Sequence, residues 1–273
     1  MDHGAVDLSW AQIGIAALLI VLNGAISLAL HLGIARRLFL ASARMVVQLF
    51  FVGLILRWVF ASRQWYFVLA VMLTMSLVAG IAAVQRSARR YPGVWLNSIL
   101  SIFFSSWAMI AIALFPILRI RPWYTPRYAI PLMGMILGNS ISGVSLALDR
   151  LGEELTTHRN QVETLLALGA TRWEAARLPL RSAVSTGMIP TINVMAVAGI
   201  VTMPGTMTGQ LLAGADPLTA VKYQIVIMFL LASGTGLATT GTILLSFRYL
   251  FTPSHQFAWW KINERKQAKA LAD

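Results

Sequence analysis

The side chains that usually carry chemistry stand where none of the common catalytic arrangements can form. Cysteine is absent, which removes thiolate metal sites, disulfides and cysteine nucleophiles together. The four histidines, His3, His31, His158 and His255, lie away from the middles of the apolar runs, and so does every carboxylate. No HExxH or GxSxG pattern occurs. Intramembrane aspartyl proteolysis would need two buried aspartates, and the chain offers none. Proton-coupled transport usually leaves a carboxylate or histidine inside the bilayer, so that class is disfavoured too. A sodium-coupled carrier built from carbonyls and broken helices stays open. No glycine is followed by lysine, so there is no Walker A loop. If ATP drives this protein, another chain holds the nucleotide.

What remains is softer chemistry. Met133, Met135, Met188, Met195, Met203 and Met207 offer thioethers, which suit ions such as Cu(I), though methionine in a membrane helix also serves packing. Asn23, Gln48, Asn97, Asn139, Ser140, Ser142 and Asn193 place amides and hydroxyls inside apolar runs. Hydrogen bonds between helices account for them as readily as a substrate path does. Met203-Pro-Gly-Thr-Met-Thr-Gly-Gln210 breaks a helix near its outer end. Backbone of that kind is tolerated at membrane depth where it lines a cavity or is buried; an ordinary outer loop is the other reading. With Asp216, the lone outer-loop carboxylate, these positions give an expected substrate path of Asn139, Asn193, Met203, Met207, Gln210 and Asp216. No metal-ligand set can be read from them.

Half of the ten acidic residues lie between Asp149 and Glu174, in a polar island inside otherwise apolar sequence. Asn160 followed by Glu163 has the spacing of a helix N-cap, predicting a helix from about Gln161. Gly169 supplies the left-handed residue that ends such a helix, and Thr171 with Glu174 repeats the capping spacing for a second one. The first helix would be roughly 12 Å long at 1.5 Å per residue. It is either a rigid element for a partner to grip or a linker between spans.

The elements that must position these residues are membrane helices. The chain is 58% hydrophobic and 12% charged, with a mean hydropathy of +0.71, where soluble domains carry roughly 25% charged residues. Apolar runs near spanning length fall at about 10–32, 41–60, 65–84, 94–118, 128–148, 182–203 and 220–247, a single transmembrane domain of about seven spans across 1–273. The expected fold is therefore an all-α polytopic bundle carrying a short polar-face helix within about 160–181. No cleavable leader is expected, because the start lacks a basic region and the first apolar run is span-length.

Arginine and lysine choose an orientation. Sixteen of the 22 basic residues follow the first, third, fifth and seventh runs, including Arg36, Arg86, Arg150, Arg172 and Lys261. That side is expected to be cytoplasmic, with the N-terminus, Asp2 and Asp7 outside. Arg119, Arg121 and Arg127 fall on the wrong side, in a loop broken by Pro122, Pro126 and Pro131. Trp10, Trp58, Trp65, Trp95, Trp123, Trp259 and Trp260 sit close to the ends of runs, as an interfacial belt requires. The net charge of +12 is spread between spans rather than along one groove, which fits membrane orientation better than nucleic acid. Ser233-Gly-Thr-Gly236-Leu-Ala-Thr-Thr240-Gly241 has small residues four apart on the last run, serving helix packing within the chain or a dimer seam.

Glu163, five residues, then Gly169 resembles the coupling segment of ABC transporter permeases, although Leu178-Pro179 comes earlier than in the importer form of that motif. Met45-Val-Val-Gln48-Leu-Phe-Phe-Val-Gly53, Pro190-Thr-Ile-Asn193, Met203 to Gln210, Leu211-Leu-Ala-Gly-Ala-Asp216-Pro217 and Tyr223-Gln224 are more specific. They resemble the FetB family, permease subunits of bacterial ABC exporters implicated in iron export and related to plant proteins of aluminium tolerance. The resemblance implies a multi-pass protein of the bacterial inner membrane that exports iron or another metal. It implies a separate ATP-binding subunit holding the ATP, no cofactor on this chain, and a permease homodimer. Glu163, Gly169, Arg172 and Trp173 would then be the ATPase-coupling residues. The competing reading is an ion-coupled secondary transporter, for which no internal inverted repeat is visible.

Overall fold

An apolar run in lipid has no water for its amides, so it must satisfy them within itself as a helix. The computed structural model, which describes residues 9–62, 64–87, 89–252, 254, 256–261 and 263–264, follows that rule. In chain order its α-helices are α1 Trp10–Ala29, α2 Ala35–Ser62, α3 Trp65–Arg86, α4 Val94–Ile112, α5 Pro126–Thr157, α6 Arg159–Ala167, α7 Arg172–Val197, α8 Gly205–Leu212 and α9 Pro217–Leu250. A π-turn at Ala113–Ile117 ends the α4 rod around Pro116, which cannot donate to the helical ladder. The expected all-α bundle is what forms. Among the described residues, the only strand pair is Arg89–Arg90 against Asn263–Glu264. The expectations placed on Asp2, Asp7, His3 and His255 lie outside the described residues.

Six helices (α1 to α5 and α9) have the length and apolar composition to cross a membrane. The helix at the sixth run, α7, is 26 residues long, but Arg177, Arg181, Pro179, Pro190 and Asn193 dilute its apolar character. It packs against both α5 and α9. Several boundaries move from those expected. α2 begins at Ala35 rather than 41, α5 runs on to Thr157 rather than 148, and the helix expected from Thr171 continues into the sixth run as one helix, α7, which stops at Val197 rather than 203. The α5 extension carries the Arg150–Glu153 and Arg150–Glu154 pairs, and α7 starts on the Thr171–Glu174 capping box.

Helix α5 is the centre of the bundle, in contact with α3, α4, α7 and α9, while the α1–α2 hairpin lies at the edge. Close approach depends on glycine. A Cβ added at Gly187 would lie 2.7 Å from the Gly143 carbonyl oxygen, and one at Gly80 would lie 2.7 Å from the Ile99 Cα. Lipid gives apolar helices no hydrophobic reason to associate, so tight backbone packing is what holds them. Gly234, Thr235, Ala238 and Thr239 are buried in this core, so that face of the small-residue stretch packs within the chain. Some buried hydroxyls turn back to their own backbone, as from Ser106 to the Ile102 carbonyl (2.6 Å) and from Ser246 to the Thr242 carbonyl (2.6 Å), whereas those of Ser98, Ser101, Ser140, Thr235 and Thr242 have no partner among the described residues.

Candidate functional site

The polar island forms one end of the bundle, and its charges are paired rather than loose. The Arg150 guanidinium meets Glu153 at 3.0 Å and Glu154 at 2.6 Å on α5, and its Nε donates to Ser182 Oγ on α7 at 2.9 Å. Ser182 in turn donates to Glu154 at 2.9 Å. This network ties α5 to α7 just before the chain leaves α5. The Ser87 hydroxyl donates to Asp149 at 2.8 Å and brings the end of α3 into the same cluster.

Helix α6 follows after His158. The expected Asn160 cap is not made, because α6 begins at Arg159 and His158 takes the cap position without a side-chain bond. Asn160 therefore lies inside the helix. Glu163 accepts from Arg159 Nε at 2.8 Å, one turn back, and the Arg159 guanidinium lies 3.7 Å over the Trp259 ring. The other terminus matches expectation. Gly169 has φ +91, its N–H bonds the Leu166 carbonyl at 3.1 Å, and the Ala170 N–H reaches back to Leu165 at 3.0 Å. That pair of bonds is the Schellman closure.

The second expected cap is also present. Thr171 Oγ1 accepts from the Glu174 N–H at 3.3 Å and donates to the Glu174 carboxylate at 2.8 Å, while the Thr171 N–H donates to it at 2.8 Å. The Thr171 backbone bond, then the hydroxyl bond, hold the Glu174 carboxyl below its ordinary range. Val162 buries α6 on the bundle, whereas Leu165 and Leu168 are 42% and 80% exposed. Arg172 and Trp173, just beyond the turn, lie against Phe247 of α9, the guanidinium 5.7 Å over the ring and the indole edge-on at 5.5 Å.

Deeper in the bundle, α5, α7, the start of α8 and α9 enclose a cavity of about 410 Å³. Asn139 and Met135 line it from α5, Thr191 from α7, Thr206 from α8, and Gln224 and Met228 from α9. Gln224 is buried and accepts a hydrogen bond from the Thr206 hydroxyl. Asn139 donates to the Met135 carbonyl at 3.0 Å. The wall is mostly apolar, with Val194, Pro204, Ile227 and Leu231, and the polar groups set in it are neutral amides, hydroxyls and thioethers. Among the described residues no cluster of three His, Asp or Glu side chains stands ready for a metal ion.

Of the expected path residues, only Asn139 lines this cavity. The Met203–Gln210 break contributes Pro204, Gly205 and Thr206 instead. Met203, Asn193 and Asp216 are exposed, and Met207 and Gln210 are half-buried. Asp216 caps α9, accepting from the Thr219 N–H at 2.9 Å and the Thr219 hydroxyl at 3.1 Å. Thr191, Thr206, Gln224 and Met228 are additions that the structure makes. Gln224, Ile227, Met228 and Leu231 all face the cavity, a single helical stripe at i, i+3, i+4 and i+7.

The chain from 10 to 251 matches the uncharacterised family UPF0014. It is a UPF0014 protein. A UPF0014 membrane protein of Synechocystis is 37% identical over 258 residues, covering 94% of this chain and 99% of that protein. The Arabidopsis protein ALUMINUM SENSITIVE 3 is 31% identical, with 88% of this chain and 87% of that one covered. FetB of Escherichia coli, named as a probable iron export permease, is 28% identical across 93% of this chain and 96% of its own. No solved structure matches the chain. Membership of UPF0014 and the run of apolar helices make this a membrane protein of a family that includes a permease.

Proposed function

We propose that this UPF0014 protein is the membrane-spanning permease of an ATP-driven ABC exporter, moving iron or another metal ion with a separate ATP-binding subunit. The observation that carries this reading is α6, a nine-residue helix closed by a left-handed glycine. It is held to the bundle by Val162 and offers Leu165 and Leu168 outward. A chain with no nucleotide motif needs a rigid handle if ATP bound elsewhere is to move it, and paired leucines at water's edge suit burial against a partner. Glu163 sets the start of that handle, Gly169 sets its end, and Arg172 and Trp173 carry its displacement to α9. The chain works as a homodimer in a bacterial inner membrane, N-terminus outside and C-terminus cytoplasmic, without nucleic acid.

The cargo passes the cavity at Asn139, Thr206 and Gln224. Neutral amide, hydroxyl and thioether ligands hold a cation weakly and release it readily, which suits export better than storage.

The test is coexpression with the ATP-binding subunit. Affinity purification should recover both chains together, and Leu165→Asp with Leu168→Asp should abolish recovery at unchanged abundance. Metal efflux from vesicles that needs an ion gradient and no ATP would refute the proposal in favour of a secondary transporter.

A further inference from the structure

A cavity larger than the one at Asn139 lies elsewhere on the bundle. It measures about 830 Å³ and runs along the outer faces of α4 and α9, ending against the first turn of α7. Its walls are apolar for most of its length, with Leu100 and Phe104 on one side and Leu237 and Leu244 on the other. Two guanidiniums, Arg172 and Arg248, line it at the island end, and no carboxylate lines it anywhere. Arg248 is exposed and has no acidic partner among the described residues. Inside the apolar stretch, Ser101 is 8% exposed and its hydroxyl has no hydrogen-bond partner. Gly241 keeps the floor open beside that hydroxyl, since a Cβ there would lie 3.2 Å from Ser101 Oγ. A buried hydroxyl without a partner is costly unless something arrives to bond it.

We infer that this groove is a seat for one anionic phospholipid, its phosphate on Arg172 and Arg248, its ester region near Ser101 and an acyl chain between α4 and α9. Charge confined to one end of an apolar slot is complementary to an amphiphile of opposite charge, and arginine is well suited to phosphate. Gly241 lies two turns from Arg248, about 10 Å along the helix, so headgroup and chain contacts are separated along one axis. Arg172 stands three residues beyond Gly169, so the lipid reaches the start of α7. The inference needs only that the chain sits in a bilayer and does not rest on an ATPase.

The purified full chain, without any partner, is equilibrated in micelles holding equal phosphatidylglycerol and phosphatidylcholine, and retained lipid is counted by native mass spectrometry. Phosphatidylglycerol should be retained in preference. Arg172→Gln with Arg248→Gln should cut that retention about thirtyfold, the scale of two interfacial arginines facing one phosphate. Gly241→Leu, with both arginines intact, should reduce retention of both lipids by filling the slot. Excess inorganic phosphate should compete poorly, since it lacks the chain. Equal retention of the two lipids, or unchanged retention in the arginine pair, overturns the inference. So does full competition by inorganic phosphate, or a disulfide between two copies carrying Leu237→Cys in place of bound lipid.

Discussion

Replacing Gly169 with valine isolates the contribution of one backbone conformation. An added Cβ would meet nothing within 4 Å, so steric crowding contributes little. The cost comes from φ +91, which an L residue with a branched side chain resists by about 1–3 kcal/mol. At about 1.4 kcal/mol per factor of ten, the closed turn becomes between about fivefold and about 140-fold less populated. Whole-protein stability is about 5–15 kcal/mol, so the chain should still insert and accumulate. Gly169→Val should therefore leave abundance near normal while ATP-driven export and recovery of the ATP-binding subunit both fall. Gly169→Asn, which tolerates the left-handed region, should restore most of both. Gly214 supplies a matched control, because it has φ +81, open space around it and the same two closing bonds to Leu211 and Gln210. Gly214→Val carries the same strain far from α6 and should not alter subunit recovery. Normal export and normal recovery in Gly169→Val would refute the coupling role of the turn.

Other outcomes can be checked with less apparatus. Gly187→Ala drives a methyl against the Gly143 carbonyl and Ala147 and should destabilise the α5–α7 contact by about 1–3 kcal/mol, read as lower thermal stability in detergent. Asn139→Leu and Gln224→Leu should each lower metal efflux while leaving subunit recovery intact, whereas Met203→Leu with Met207→Leu should leave efflux near normal. Because the native chain has no cysteine, single cysteines at positions 2 and 273 can be labelled without background. They should react from opposite sides of the membrane, and reaction from the same side would overturn the odd number of crossings.

What could be read from sequence was local. Thr171 with Glu174 and the lone Gly169 were legible because capping and left-handed turns are decided within four residues. The spans were legible because apolar length is a sum. Asn160 misled because the same spacing competes with Arg159 and Glu163, one turn apart, whose pairing favours an earlier start. The extension of α5 to Thr157 escaped because Arg150, Glu154 and Ser182 of α7 meet only after folding, and so did the continuity of the helix begun at Thr171 with the sixth run. The cavity at Asn139 was invisible for the same reason: Thr191, Thr206 and Gln224 come from three helices. Gln224 gave one faint signal, an amide placed four residues before Met228 on an apolar stripe.

The crossing of Gly143 and Gly187 has a mechanical meaning. It lies along α5 with roughly four residues on one side, to Asn139, and roughly fifteen on the other, to His158, arms of about 6 Å and about 22 Å. A stiff rod pivoting at such a point behaves as a reducing lever. A swing of about 4 Å at the α6 end becomes about 1 Å at Asn139, with thrust multiplied in the same ratio. A displacement that small is enough to make and unmake contacts in a closely packed interior. Under the proposed coupling, such a lever would trade stroke for force, which is the gearing a gate needs when its seal is tight and its opening narrow.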